Sequence, residues 1–396
     1  MMIRQAASDV DEARRECAKH RIRAAAIVAA ALLAACAPLT SLPRTVAPLG
    51  VDTIWYVSAR AREQGRDTRR LTDTLEYGLV RFTRNGMARE LADSAKFDSA
   101  TFARSLGAAA RTEAPVMLYV HGYGTSLREA WVHTETVRAN AETRAPWVVF
   151  AWPSNGSAVA WPKRGAVINR AYREDSAHAA ASRPAFARVT RIVGGAVENN
   201  RLVVVAHSMG GQLVGEALAL DTALRATLAL APLRAIAFVV PDVEAGRFAD
   251  SLVPAARQSA RRVVLYASSR DRLLALATFL DGHDRAGHVG DSALVRSGLE
   301  TVDATHADFR EGWAQRIFGM HHAIRRAVGT TFDLTHIVAR ELPAECRATM
   351  GIGERDARGV WRLNGGEPGR RVGTSGEGEA GSVRCPLPVV PYTLDR

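Results

Sequence analysis

The chain has 396 residues, of which 47% are hydrophobic and 23% are charged, and its formal net charge is +11. This composition is too apolar for an intrinsically disordered protein and suffices for one large domain with appendages. The basic residues are almost all Arg and are scattered along the chain. Their excess therefore does not indicate nucleic-acid binding, which needs a clustered basic surface.

The N-terminus carries the pattern of a secretory signal. A 12-residue apolar run, 24–35, follows Arg21 and Arg23 and is too short to span a bilayer. The run leads into the tetrapeptide LAAC, which ends at Cys36 and resembles the lipobox of bacterial lipoproteins, where the Cys is lipidated and becomes the new N-terminus. The alternatives are a plain secretory signal and a buried Ala-rich helix, and the acidic residues within 1–23 depart from a typical signal.

Residues 1–35 are therefore predicted to be a lipoprotein-type signal peptide, and the Pro-rich residues 36–50 a tether. Lipidation of Cys36 would anchor the protein to a membrane of the bacterial cell envelope, facing the periplasm.

In that oxidising compartment two alternatives stay open for Cys346 and Cys385. They form a disulfide that closes the C-terminal segment, or they are free thiols.

Short apolar runs alternate with amphipathic stretches in the middle of the chain. Such runs are typical of strands buried on both faces of a parallel sheet. Residues 126–140 and 176–198 have helical composition, with a break required at Pro184. The alternation predicts a doubly wound, mostly parallel α/β sheet flanked by helices, with an antiparallel pair, 53–59 and 77–82, at one edge. The apolar runs are 116–120, 147–151, 202–206, 235–240 and 263–266.

The main domain is predicted to cover residues 51–340, and it contains no internal repeat. From about residue 351 the composition shifts to Gly, Arg and Glu, with too few apolar residues to offset the entropy of ordering. Residues 341–396 are therefore predicted to form a Gly/Arg-rich, largely flexible C-terminal tail.

The clearest chemical motif is the pentapeptide AHSMG, which has Ser208 at its centre. It lies where a predicted strand runs through a turn of small residues into a helix, which is the setting of a nucleophile elbow. The turn presents the hydroxyl above the sheet, and the helix N-terminus favours negative charge developing there. Ala206 replaces the usual Gly with another small residue. The alternative is a structural serine between a strand and a helix.

A second motif, HGYG at residues 121–124, follows the predicted strand 116–120. In α/β-hydrolases such a loop donates one backbone N–H to the oxyanion hole, and the residue after the nucleophile donates the other. Tyr123 and Met209 are the predicted donors. A Gly-rich phosphate loop is disfavoured, because neither a Lys-Ser/Thr pair nor a GxGxxG pattern follows.

Five segments share the order and spacing of one family pattern. They are VMLYVHGYGTS (116–126), VVFAWPSNGS (148–157), VVVAHSMGG (203–211), FVVPDVEAGRF (238–248) and LYASSRDRLL (265–274). Together they resemble the alpha/beta hydrolase family designated domain of unknown function 900, over about residues 51–336. The resemblance implies an α/β-hydrolase fold and a Ser, Asp, His triad. It implies no substrate, because none is established for the family.

The acid of such a triad follows the nucleophile in sequence. Asp271 comes just after the predicted strand 263–266 and is the favoured acid. Asp242, after the preceding strand, is the alternative, although a residue there is more simply interpreted as a cap at the strand end.

The triad His comes last in sequence, and spacing alone does not select it. In the family that the chain resembles, a His lies about a dozen residues before an Asp-Leu pair, and Asp333-Leu334 is such a pair here. The resemblance therefore implies His321, with His322 as the second choice. The remaining candidates are His283, His288, His306 and His336.

These motifs predict a serine hydrolase that cleaves a carboxylic ester, or a related acyl compound, through an acyl-enzyme. Its substrate is expected to be a small-molecule or lipid-like acyl compound. No cofactor and no metal are expected, because the histidines form no HExxH motif and no Cys/His ligand pair. The alternative is a non-catalytic envelope lipoprotein that uses the hydrolase fold as a binding or scaffold module.

Overall fold

The computed structural model describes most of the chain after residue 50. The predicted signal peptide and tether lie outside the described residues, and so do Cys36, His321 and His322. Within the part that is described, no helix is long and apolar enough to cross a membrane. The described residues are 51–64, 66–85, 88–110, 114–141, 145–154, 165–288, 293–307, 328–364 and 385.

Eleven strands of the described chain form one sheet. They are β1 (Val51–Glu63), β2 (Arg66–Asn85), β3 (Ala88–Phe97), β4 (Val116–Val120), β5 (Trp147–Ala151), β6 (Leu202–His207), β7 (Leu233–Val239), β8 (Ala260–Ala267), β9 (Glu300–Asp303), β10 (Gly353–Arg355) and β11 (Trp361–Leu363). Their order across the sheet is β10-β11-β9-β8-β7-β6-β4-β5-β1-β2-β3.

Strand direction confirms the predicted mostly parallel sheet. All neighbours from β11 to β1 are parallel. Antiparallel strands are added only at the edges, β2 and β3 on one side and β10 on the other. The predicted antiparallel pair is present, with Thr53 opposite Arg81. β1 is also parallel to β5, so the true edge on that side is β3, which was not predicted.

Helices connect the parallel strands, and the predicted break at Pro184 is confirmed because α3 ends before it and α4 begins beside it. Short π-helical segments cover Phe248–Leu252 and Leu334–Val338. The helices are α1 (Ser99–Ala109), α2 (Leu127–Asn140), α3 (Gly165–Ala181), α4 (Arg183–Val197), α5 (Met209–Leu220), α6 (Thr222–Leu230), α7 (Ala245–Arg247), α8 (Val253–Ser259), α9 (Arg272–Asp281), α10 (Val328–Asp333) and α11 (Cys346–Thr349).

Two apolar layers enclose the sheet, one on each face. Side chains of β4 alternate between them, with Leu118 in one layer and Tyr119 in the other, and both are fully buried. The first layer includes Phe186 of α4 and Leu213 of α5, and the second includes Val137 of α2. Burial on both faces explains why these strands are continuous apolar runs in the sequence.

The sheet continues past the C-terminal boundary predicted at residue 340. Within residues 341–364, β10 and β11 join the sheet, and Cys346, Met350 and Ile352 pack in a separate apolar cluster with Phe332 and Ile337. Trp361 and Leu363 of β11 are buried beside β9. The composition of the longer Gly- and Arg-rich stretch concealed these few apolar residues. Apart from Cys385, the rest of the tail lies outside the described residues.

A buried ion pair ties this segment to the domain, and a disulfide links it to Cys385. The Arg347 guanidinium pairs with Asp333, with Nε 2.6 Å from Oδ1, and both side chains are fully buried. The Tyr266 hydroxyl donates to the same carboxylate at 2.6 Å. Cys346 and Cys385 are joined as a disulfide, which is one of the two alternatives left open by the sequence. Because a buried charge without its partner is costly, the pair specifies where residue 347 must lie.

Candidate active site

The carboxyl ends of the parallel strands meet at one edge of the sheet, where open α/β folds bind ligands. Ser208 directly follows β6, Asp242 lies three residues after β7, and Asp271 lies four residues after β8. The segment 121–126, called here the HGYG loop, follows β4. Because β4, β6, β7 and β8 are consecutive across the sheet, the fold brings these groups to one region.

Ser208 forms a sharp and strained turn between β6 and α5. Its backbone angles are φ 54° and ψ −124°, which residues with a side chain rarely adopt. Its N–H donates to the Val239 carbonyl at 3.0 Å, and its carbonyl accepts from Gly211 at 2.8 Å and from Asp242 at 3.1 Å. These bonds hold the strained conformation, which is the geometry of a nucleophile elbow.

Two glycines allow the HGYG loop to approach this turn closely. A Cβ added to Gly122 would lie 2.8 Å from the Cβ and 3.2 Å from the Oγ of Ser208. A Cβ added to Gly210 would lie 2.5 Å from the Val120 carbonyl oxygen and 2.7 Å from that of His121. The loop backbone is therefore packed directly against the serine hydroxyl, with no side chain between them.

The predicted oxyanion donors lie on the two segments that meet here. Met209 is the first residue of α5, where backbone N–H groups have no acceptor within the helix. Tyr123 lies in the HGYG loop, next to Gly122. The N-terminus of α5 adds partial positive charge at the same point. The arrangement suits a negative oxygen beside Ser208, and the use of these two N–H groups stays a prediction.

His121 supports the HGYG loop from within. Its ring is fully buried and stacks on Trp152, with ring centroids 5.0 Å apart. The Trp152 indole N–H donates to the His121 carbonyl at 2.8 Å. Burial, and secondly the charge of Arg60, lower the pKa of His121 to about 3. A low pKa makes a poor general base at neutral pH, and the packing of His121 against Trp152 supports the loop backbone.

Asp271 is fully buried at the N-terminus of α9. Its Oδ1 accepts hydrogen bonds from the backbone N–H groups of Leu273 and Leu274, both at 3.0 Å. These two bonds hold the carboxylate in one orientation just beyond the end of β8. A triad acid needs such a fixed orientation, because it must hold a His ring in one direction.

Asp242 is also buried, and both of its oxygens face other side chains. The Tyr172 hydroxyl donates to Oδ2 at 2.8 Å, and Arg285 Nε lies 3.4 Å from Oδ1. Tyr172 also packs against Tyr123, with ring centroids 5.9 Å apart. Sequence reasoning missed Tyr172 and Arg285. Neither belongs to a motif, and Tyr172 lies 70 residues from Asp242 in sequence, so no local signal could have identified them.

Four of the six candidate histidines lie within the described residues. His306 is exposed three residues after β9, at the same edge of the sheet as Ser208. His336 stacks on Phe332 with centroids 4.1 Å apart, and burial lowers its pKa. Among the described residues, no group of three or more His, Cys, Asp or Glu side chains could hold a metal ion. His283 is exposed and His288 half-buried, whereas His321 and His322 lie outside the described residues.

A family model described as an alpha/beta hydrolase of unknown function (DUF900) matches residues 98–329, which is more than half of the chain. The matched range includes Ser208, Asp271 and His321. It begins after β3, so the three N-terminal strands lie outside it. The curated proteins contain no significant sequence match to this chain.

Solved structures that align with this chain include esterases and peptidases. An arylesterase aligns over 78% of this chain and 89% of its own, with 10% identity and a TM-score of 0.30. Oligopeptidase B from Leishmania major aligns over 67% of this chain and 42% of its own, with 12% identity and a TM-score of 0.28. Similarity at this level says nothing about the activity of this chain.

Proposed function

Because the chain belongs to the alpha/beta hydrolase family DUF900, we propose that it is a serine hydrolase that cleaves a carboxylic ester or a related acyl substrate. The observation that carries the proposal is the strained backbone of Ser208 in contact with the HGYG loop. Such strain costs about 1–3 kcal/mol and is concentrated at functional sites. A serine with a purely structural role between a strand and a helix has no need of it.

In the proposed mechanism, His321 takes the hydroxyl proton of Ser208 as the serine oxygen attacks the substrate carbonyl carbon. Asp271 orients the His and stabilises the imidazolium. The oxyanion accepts hydrogen bonds from the N–H groups of Tyr123 and Met209. The tetrahedral intermediate then expels the alcohol, which takes the proton from His321. Water cleaves the acyl-enzyme by the same steps, which releases the acid and restores the serine.

Asp271 is proposed as the acid because the oxygens of Asp242 already face Tyr172 and Arg285. We expect Asp271→Asn to lower kcat by about 10⁴-fold, since the amide no longer holds the His in its reactive form. Asp242→Asn, its matched control, is expected to lower kcat by less than about tenfold. Steady-state kinetics on a p-nitrophenyl ester measure both values, and the reverse ranking would identify Asp242 as the acid.

The substrate is proposed to be a small-molecule or lipid-like acyl compound. Tyr123 and Tyr172 are half-buried and pack together beside the nucleophile, which supports an apolar surface for an acyl or aryl group. Amide and thioester cleavage use the same catalytic groups. Rates on p-nitrophenyl esters from acetate to palmitate, compared with matched amides and thioesters, distinguish these classes.

Covalent labelling by a fluorophosphonate probe tests the proposed function directly. The purified protein is expected to take one label per chain at Ser208, because the probe reacts only with a serine that a working site activates. A known serine esterase serves as the positive control, and heat-denatured protein as the negative control. A folded protein that takes no label and hydrolyses no ester would favour the non-catalytic scaffold.

We also propose that the protein is attached to a membrane of the bacterial cell envelope by lipid on Cys36, facing the periplasm. The support is the signal pattern of residues 24–36. Cys36→Ser is expected to move the protein from the membrane fraction to the soluble fraction, since the acyl chains provide the attachment. Fractionation and immunoblotting measure this, with Cys17→Ser as the matched control. Membrane retention of the Cys36→Ser variant would contradict lipid anchoring.

A further inference from the structure

Buried side chains from two other elements hold the backbone of the HGYG loop. The Gly124 N–H donates to Asp175 Oδ2 at 3.0 Å, and the Thr125 N–H donates to Ser154 Oγ at 3.0 Å. The Ser154 hydroxyl donates in turn to Asp175 Oδ2. Asp175 belongs to α3, whereas Ser154 follows β5. Two consecutive amides of the loop are thus held by one small polar network.

Arg60 of β1 joins the same network through carbonyl groups. Its Nη1 donates to the Ser154 carbonyl at 3.1 Å, and its Nη2 donates to the Thr125 carbonyl. Arg60 is 4% exposed and Asp175 fully buried. Burial lowers the pKa of Arg60 to about 10, while the Asp67 and Asp175 carboxylates favour its charged form. The guanidinium is therefore charged at neutral pH.

Burying charged groups is expensive, and replacing them by well-packed apolar side chains often costs no stability. What the charged groups provide instead is geometry, because each bond constrains one backbone group of the loop. Gly124 has φ +66°, in the left-handed region, although an added Cβ would meet nothing within 4 Å. The loop conformation, and not the space around it, therefore requires the glycine, and in this conformation the Gly124 and Thr125 N–H groups reach Asp175 and Ser154.

We propose that Arg60 and Asp175 are positioning residues, which hold the HGYG loop so that its backbone can stabilise the oxyanion. Arg60 lies on β1, before the matched range 98–329, so β1 would also help to position the loop. This inference rests on the proposed function.

The kinetic test counts active sites before it measures turnover. Complete titration with a fluorophosphonate gives the concentration of competent Ser208, and kcat is expressed per titrated site. We expect Asp175→Ala to lower kcat per site by about 10- to 100-fold, less than the loss of a whole oxyanion donor, with KM changed less than about threefold. A variant that merely folds poorly loses titratable sites and keeps its kcat per site.

Conservative variants and matched controls sharpen this test. Asp175→Asn keeps an acceptor and is expected to retain more activity than Asp175→Ala. Arg60→Lys keeps the charge without the two-pronged geometry and should retain more than Arg60→Met. Arg62→Met and Glu174→Gln are the controls. They change residues of β1 and α3 near Arg60 and Asp175, and their side chains form surface ion pairs, Arg62 with Glu76 and Glu174 with Arg170. We expect wild-type kcat per site for both variants.

Hydrogen exchange tests the loop independently of catalysis. In wild-type protein the Gly124 and Thr125 amides are bonded, so they should be protected. In Asp175→Ala, exchange in a peptide covering 121–126 is expected to be at least about tenfold faster, because one acceptor is lost. Unchanged exchange would overturn the proposal, and so would faster exchange with an unchanged kcat per site.

The two proposals fail in different ways. If the wild-type protein neither labels nor turns over, the proposed function fails and the positioning role of Arg60 and Asp175 in catalysis fails with it, whatever the exchange shows. If the wild-type protein labels and turns over while Asp175→Ala and Arg60→Met keep full kcat per site, the proposed function stands and only the positioning role is overturned.

Discussion

Ser208→Ala is expected to abolish fluorophosphonate labelling and to lower the rate of ester hydrolysis by about 10⁶-fold. The serine oxygen forms the covalent bond of the acyl-enzyme, and alanine has no atom that can replace it. Losses of this order follow removal of a triad serine, and the remaining catalysis comes from substrate binding and the oxyanion donors. In-gel fluorescence and initial rates on a p-nitrophenyl ester measure the two effects.

Ser259→Ala is a suitable control for this variant. Ser259 is also buried, but it directly precedes β8, near the amino ends of the parallel strands and away from Ser208. Its hydroxyl donates to the Ala255 carbonyl at 2.9 Å. The control is expected to label like the wild-type protein. Labelling that survives in Ser208→Ala would place the nucleophile elsewhere and remove the main support for the proposed function.

His321→Ala is expected to lower kcat by about as much as Ser208→Ala, because the two residues act as one unit and the hydroxyl is a weak nucleophile without its base. KM should change little, since the imidazole contributes mainly in the transition state. The pH profile offers a second measurement. The wild-type rate should fall at acidic pH as the His becomes protonated, and the residual rate of the variant should lack that step.

Two matched variants test the choice of His321. His322→Ala changes its neighbour in sequence and is expected to keep most of the activity. His306→Ala changes the exposed histidine that follows β9, at the same edge of the sheet as Ser208. If one of these variants loses most of its activity while the His321→Ala protein stays active, the histidine changed in that variant is the base.

The candidate nucleophile and its setting could be predicted because their signals are local. A strand buried on both faces is an uninterrupted apolar run, and the predicted strands 116–120 and 147–151 match β4 and β5 at both ends. Ser208 follows such a run at once, and the small residues after it mark the turn. Everything needed for that prediction lies within about a dozen residues.

The edges of the sheet were harder to predict. β3 consists mostly of charged and small residues with only Leu91 and Phe97 as large apolar ones, so it lacks the apolar signal of a buried strand. β10 and β11 are three residues long, and Trp361 and Leu363 are buried only because β9 lies beside them. A short strand at an edge depends on its neighbour for pairing and burial, and that neighbour is far away in sequence.

By itself, the sequence determined the fold class and pointed to a candidate nucleophile and to the loop expected to face it. Only the tertiary structure decided which groups hold that loop. Arg60 lies 65 residues before Thr125 and 94 before Ser154. A buried charge requires partners, but the sequence around an arginine does not identify them. The partners of Arg60 are set by the pairing of β1 with β5, which brings the guanidinium to the carbonyl groups that it binds.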